Sequence, residues 1–212
     1  MENITKINVG GVDYEVRKDL AEKVTALEDK VFPLTISVSG GGTFEKGVPR
    51  TITVTWTVKK GDDTVTADSV TVNDESASGT SKQFTNVSST TTYIVKATKD
   101  GTQVQGQTTA TFVAPMYFGF ADADAAASLS ITSLNKQSIK TSPAGTYILN
   151  NSQTGNYLWL CVPSSMTINR VTSSGFDIPM EEQQPGSTSV DTYKCYRSSS
   201  QINEGSVTIV IS

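Results

Sequence analysis

The amino-acid sequence predicts an all-β protein in which a short N-terminal hairpin and helix lead into two tandem β-sandwiches. Three observations predict this. Ser and Thr make up about a quarter of the chain, only 18% of residues are charged and 36% are hydrophobic, the profile of half-solvated strands. From Leu34 onward apolar residues recur at every second position, in short runs broken by turn residues. A length of 212 residues suits one large domain or two small ones. Changes of pattern divide it into 1–32, 33–114 and 115–212.

The first segment reads ITKINVGGVDYEV over 4–16. Ile7 and Val9 alternate with polar residues, Gly10-Gly11 follows, and Val12, Tyr14 and Val16 alternate again. A tight primed turn needs positive φ at its centre, so Gly-Gly between alternating runs predicts a hairpin. A lone two-stranded hairpin is marginal in water. Its apolar positions Ile7, Val9, Val12, Tyr14 and Val16 therefore need a partner, either the rest of the chain or another protein.

KDLAEKVTALEDKVF carries the helix signal. Leu20, Val24, Leu27 and Val31 are spaced four, three, four, a d-a-d-a seam, with Lys23 at g and Glu28 at the following e. Asp19 is placed to cap the helix, Glu22 three residues on completes an acidic capping box, and Pro33 ends the run. A helix of about 14 residues is marginal alone, so the stripe needs a cover. Either a coiled coil of several copies or the following domain supplies it. Valine at a with leucine at d favours two strands on local rules.

Over 34–114 the period is two. LTISV, TITVTWTV, the pair Val70 and Val72, and TTYIVKATKDGTQVQGQTTATFVA with its Asp100-Gly101 turn predict about seven short strands, the pattern of an immunoglobulin-like sandwich. The segment contains no cysteine, which leaves Trp56 as the expected centre of its core. The glycines of SGGGTFEKGVPR lack the lysine of a phosphate-binding loop and read as a connection between strands. Pro115 ends this region, and Ala121 to Ala127 reads as a low-complexity connector or short helix. TYILNN, NYLWLCVP, TINRVT, GFDIPM, VDTYKCYR and SVTIVIS then predict a second all-β module.

Composition excludes most chemistry. The chain has no histidine, which removes Ser-His-Asp and Cys-His catalysis, His-ligated zinc and histidine pH switching. A net charge of −4 argues against nucleic-acid binding, and no apolar run approaches the ~20 residues that span a bilayer. MENITKINVGG has neither the basic nor the apolar region of a secretory signal, predicting a protein made and kept in the cytosol. On that footing the sequons at Asn3, Asn86 and Asn150 carry no sugar. Cys161 and Cys195 are expected as buried thiols, a cross-strand disulfide being geometrically feasible but out of keeping with a reducing compartment. Asp122 and Asp124 lack the ligand number of a calcium loop. Glu181 and Glu182 read as a solvated loop, since neighbours on a strand would face opposite ways. The sequence thus predicts no catalytic residue, metal or cofactor, and a protein that works by surface recognition through Tyr, Trp, Ser, Asn and Thr.

Three segments in order carry a family resemblance. ITKINVGGVDYEV with its heptad helix resembles the N-terminal attachment segment of tailed-phage fibre proteins. TITVTWTVKKG, TTYIVKATKDG and ATFVAPMYFG resemble immunoglobulin-like modules in structural proteins of phages of Bacteroides-type gut bacteria. NYLWLCVPSSMTINRVTSSGFDIPM, DTYKCYR and SVTIVIS are similar to a C-terminal module of the same proteins. The resemblance implies a virion protein made in the host cytoplasm, a head fibre or capsid decoration rather than a main tail fibre. It further implies a homotrimer that docks on the capsid or another virion protein through its N-terminus and contacts host-surface glycans. The trimer comes from the resemblance alone and stands against the two-strand preference of the heptads. A bacterial adhesin or carbohydrate-binding module is the alternative.

Overall fold

The computed structural model describes residues 7–9, 12–14, 16–123, 129–183, 186–203 and 205–212, with side chains from Glu22 onward, Thr25 apart. The turn glycines Gly10 and Gly11 and the residue Asp124 lie outside the described residues, as do the side chains of the hairpin, Val16, Asp19 and Leu20. The chain is predominantly β, with one α-helix among the described residues. It forms two compact units. One comprises Met1–Gly41, Thr51–Phe84 and Thr92–Thr109, the other Gly42–Arg50, Thr85–Thr91 and Ala110–Ser212.

Strands β1 (Ile7–Val9) and β2 (Val12–Tyr14) form the expected hairpin. Ile7 pairs with Tyr14 and Val9 with Val12, which leaves a two-residue connection. Helix α1 then runs Val16–Val31. It begins earlier than the sequence suggests, so Val16 is helical rather than the last hairpin residue, and Asp19 sits in the first turn instead of capping it. Arg17, Lys18 and Asp19 all tolerate helix, and nothing between Tyr14 and Leu20 breaks one.

Nine strands follow, two more than the sequence pattern predicts. One sheet joins β3 (Leu34–Ser39), β5 (Arg50–Lys60) and β6 (Asp63–Thr64), with β9 (Ser81–Val87) also on β5. The other orders β4 (Gly42–Glu45), β11 (Thr102–Val113), β10 (Thr91–Lys99), β7 (Ser69–Val72) and β8 (Glu75–Ala77). Strand β4 pairs with β11 in parallel, Ala110 opposite Gly42 and Val113 opposite Glu45. This sheet pair is an immunoglobulin-like sandwich. Its core follows from strict alternation: Ile52, Val54, Trp56 and Val58 of β5 are buried, as are Val70 and Val72 of β7 and Tyr93, Val95 and Ala97 of β10. Asp100 and Gly101 both have positive φ, at 49° and 78°, the geometry a two-residue primed turn requires.

The stretch SGGGTFEKGVPR is not a plain loop, because Gly42–Glu45 is strand β4. Here the first strand leaves one sheet and joins the other, and the glycines make the switch feasible. Gly40 has φ of 104° and a Cβ there would overlap the Thr53 carbonyl oxygen. A Cβ on Gly41 would overlap the Thr109 carbonyl oxygen and the Thr108 hydroxyl that Gly41 N–H bonds at 2.9 Å.

The second unit holds two further sheets. One contains β13 (Asn135–Lys136), β12 (Tyr117–Ala121), β15 (Tyr157–Pro163), β20 (Thr192–Ser198) and β18 (Met180–Glu182), with β19 (Gly186–Ser187) also on β20. The other orders β14 (Gly145–Asn150), β21 (Ser206–Ile211), β16 (Val171–Ser173) and β17 (Phe176–Asp177). Leu158, Leu160 and Val162 of β15 pack with Leu149, Val171, Val207, Ile209 and Ile211 in the core between the sheets. Trp159 and Cys161 point the other way, into a second buried cluster with Ile131, Leu134, Tyr193 and Cys195. The sheet is therefore covered on both faces, which explains the unbroken apolar run NYLWLCVP. Tyr117–Ala121, within the stretch expected to mark the boundary, is an internal strand of this sheet, and residues 124–127 of the connector expected at Ala121 to Ala127 lie outside the described residues. Of TINRVT only the end is strand. Glu181 and Glu182 lie in strand β18 rather than a loop, Glu181 facing Arg197 at 3.0 Å.

Cys161 and Cys195 form a disulfide, which corrects the expectation of free thiols. They are register partners on β15 and β20 with Cα atoms 4.1 Å apart, and both side chains are wholly buried on the same face. Closing a loop across 34 residues of sequence separation stabilises mainly by restricting the unfolded chain, by about 3–4 kcal/mol.

Three outcomes are expected. Gly40→Ala and Gly41→Ala each destabilise by about 2 kcal/mol or more, measured by urea denaturation, because backbone rather than a flexible side chain blocks the new methyl. Cys161→Ala with Cys195→Ala, or reductant on the native chain, lowers the melting temperature of the second unit in calorimetry. Tyr93 and Tyr193 separate in their response to loss of the hydroxyl. The buried Tyr93 hydroxyl has no hydrogen-bond partner among the described residues, so Tyr93→Phe is neutral or stabilising. The Tyr193 hydroxyl donates to the Pro115 carbonyl at 2.9 Å, so Tyr193→Phe costs about 1 kcal/mol. Burial pushes the Tyr193 phenol from 10.0 up to about 12. The unfolded chain ionises first as pH rises above 10, so stability falls between those values. Tyr193→Phe flattens that alkaline decline in a pH series of unfolding midpoints.

Candidate assembly interface

The feature least explained by the chain's own packing is α1. Of the seam positions whose side chains are described, Val24 is 46%, Leu27 60% and Val31 63% exposed. Three apolar residues spaced three and four apart lie on one face of a helix, and here that face is uncovered by the chain itself. The helix backbone includes Leu20, the fourth seam residue.

The C-terminal end of α1 is firmly placed. Phe32 N–H bonds the Glu28 carbonyl at 2.7 Å, closing the last turn, and Pro33 prevents another. The Pro33 carbonyl accepts from Gly61 N–H at 3.1 Å. Lys60 of β5 pairs with Asp29 of the helix at 3.4 Å. Phe32, half-exposed at 52%, sits over Gly61, where a Cβ would lie 2.8 Å from its ring. These contacts fix the helix end while leaving Val24, Leu27 and Val31 exposed. Glu28, at e, is exposed. For the hairpin positions Ile7, Val9, Val12 and Tyr14 the structure settles the register, and Val16 belongs to the helix.

Other sequence candidates lead away from chemistry. Among the described residues no three His, Cys, Asp or Glu side chains gather as metal ligands, and Asp122 is exposed beside the end of β12. Glu181 and Glu182 occupy successive strand positions, and Glu181 is engaged by Arg197, whose guanidinium stacks 4.6 Å over Tyr157. Most aromatics expected as contact residues are core instead: Trp56, Trp159, Tyr93, Tyr147, Tyr193 and Tyr196 are all buried, whereas Phe176 is 78% exposed. No helix among the described residues is long and apolar enough to cross a membrane.

No family model, curated protein or solved structure matches the chain.

Proposed function

We propose that the chain is a non-enzymatic structural protein of a tailed-phage virion. In this reading it is a short head fibre or capsid decoration, made in the host cytoplasm, that docks on the particle through its N-terminal hairpin and projects its sandwiches outward. The helix joins copies of the chain into a homotrimer. One observation carries the reading: the helix exposes Val24, Leu27 and Val31, three apolar residues on one face. Burying a valine or leucine side chain contributes about 1.5–3 kcal/mol, and a second and third copy provide the cover that the chain withholds. Lys23 and Glu28 flank the seam at g and e, where opposite charges on neighbouring copies meet. The trimer, as opposed to a dimer, follows the resemblance to phage fibre proteins. So does the virion.

Light scattering after size exclusion tests it on three proteins: the full chain, the full chain carrying Val24→Asp and Leu27→Asp, and a chain without residues 1–31. The expected masses are a trimer for the first and monomers for the other two, because a charge at each seam position cannot be buried unpaired. A trimer that survives both changes moves assembly into the sandwiches. A monomeric full chain overturns the self-assembling fibre.

A further inference from the structure

Two of the crossings between the sheets of the first sandwich, along 65–68 and 78–80, border one cleft of about 780 Å³. Backbone bonds pin them to β5: Val65 N–H donates to the Val58 carbonyl at 2.9 Å and Trp56 N–H to the Thr80 carbonyl at 3.0 Å. Trp56, Val58 and Val70 form the apolar floor, all buried. Hydroxyls line the rest, among them Thr57, Thr66, Ser78 and Thr80. These four side chains make no hydrogen bond to another described residue. The lining contains no lysine or arginine. Its one carboxylate, Asp68, is already occupied by Lys99 Nζ at 2.8 Å and Asp100 N–H at 2.8 Å.

We infer that this cleft binds a neutral oligosaccharide. Its size lies within the range of small-ligand sites. A charged ligand would find no free counter-charge, and a lipid would face too many hydroxyls. An added peptide strand would need an open backbone edge, whereas the crossovers already bond β5. A sugar offers what the lining matches, hydroxyls that both donate and accept, beside patches of C–H for an apolar floor. The inference names the contact that the projecting-protein reading leaves open. It needs neither assembly nor a virion, so a failure here leaves the scattering result standing, and the converse holds.

Tryptophan fluorescence tests it on the full chain. There are two tryptophans. Trp159 is wholly buried in the other unit with its indole N–H on the Ala123 carbonyl at 3.1 Å, so a ligand in the cleft acts on Trp56. The probes are chitohexaose, cellohexaose, maltohexaose and galactohexaose, each to about 10 mM, which reaches weak sites of millimolar Kd. The expected result is a saturable emission change with at least one of them. In Thr57→Val with Thr66→Val the affinity falls at least tenfold. Thr92→Val, outside the cleft, leaves it unchanged. Both threonines are exposed, and an unaltered melting temperature confirms that the doubly substituted chain folds. Flat emission with all four sugars overturns the inference, and so does a change that persists in the double variant.

Discussion

A strand residue must put its side chain on one side of the sheet or the other, and from Leu158 to Val162 of β15 both sides are sealed. Most of the second unit is arranged around that requirement. Leu158, Leu160 and Val162 call for a facing sheet, which β14, β21 and β16 supply with every second residue. Trp159 and Cys161 call for a further layer, and Ile131, Leu134 and Val190 provide it. The disulfide belongs to this second layer, where two small side chains meet directly across the ladder with no room for water. Gly186 shows how tight the fit is, since a Cβ there would overlap the Ile131 side chain and lie 3.6 Å from Cys195 Sγ. An apolar layer on each face leaves the strand no exchange of register, because a one-residue slip would exchange the two layers.

Local period and turn chemistry make much of the fold legible in the sequence. Ile52, Val54, Trp56 and Val58 announce β5, and Asp100-Gly101 announces the turn between β10 and β11, because each signal is complete within a few residues. What stays hidden depends on segments far apart in the chain. Pairing Cys161 with Cys195 requires knowing that β15 and β20 are neighbours in register, and no local pattern states that. Strand β4 escapes notice because GGGTFE shows no alternation; its glycines answer to the carbonyls of Thr53 and Thr109, more than ten and more than sixty residues away. The start of α1 is ambiguous in the sequence because Asp19 satisfies a capping rule equally well outside the helix or in its first turn.

The candidate interface is legible for a related reason. Its signal, four apolar residues at heptad spacing, lies within twelve residues of sequence, and the structure adds the one fact that spacing cannot supply: the chain leaves Val24, Leu27 and Val31 uncovered. The cleft beneath the crossovers cannot be foreseen, since its floor comes from β5 and β7 and its rim from two segments with no distinguishing composition. Threonine and serine signal strands in this chain so uniformly that hydroxyls around a cleft and hydroxyls on an ordinary sheet face look alike in one dimension. Their difference is spatial. Where β5 meets water Thr57 is one of a row, and where the crossovers diverge it borders an open cleft.

The parallel pairing of β4 with β11 has a mechanical consequence. These two strands stand near the beginning and the end of the first sandwich, and they run in the same direction. Tension drawing the N-terminal side of β4 away from the C-terminal side of β11 acts along the strand axes in opposite senses. It therefore loads the ladder in shear, so that its hydrogen bonds share the force, whereas an antiparallel hairpin pulled at its open end would lose its bonds singly and in sequence. A sandwich closed in this way resists being drawn out between its ends better than being peeled at an edge, a useful property for any element held at one end and pulled at the other.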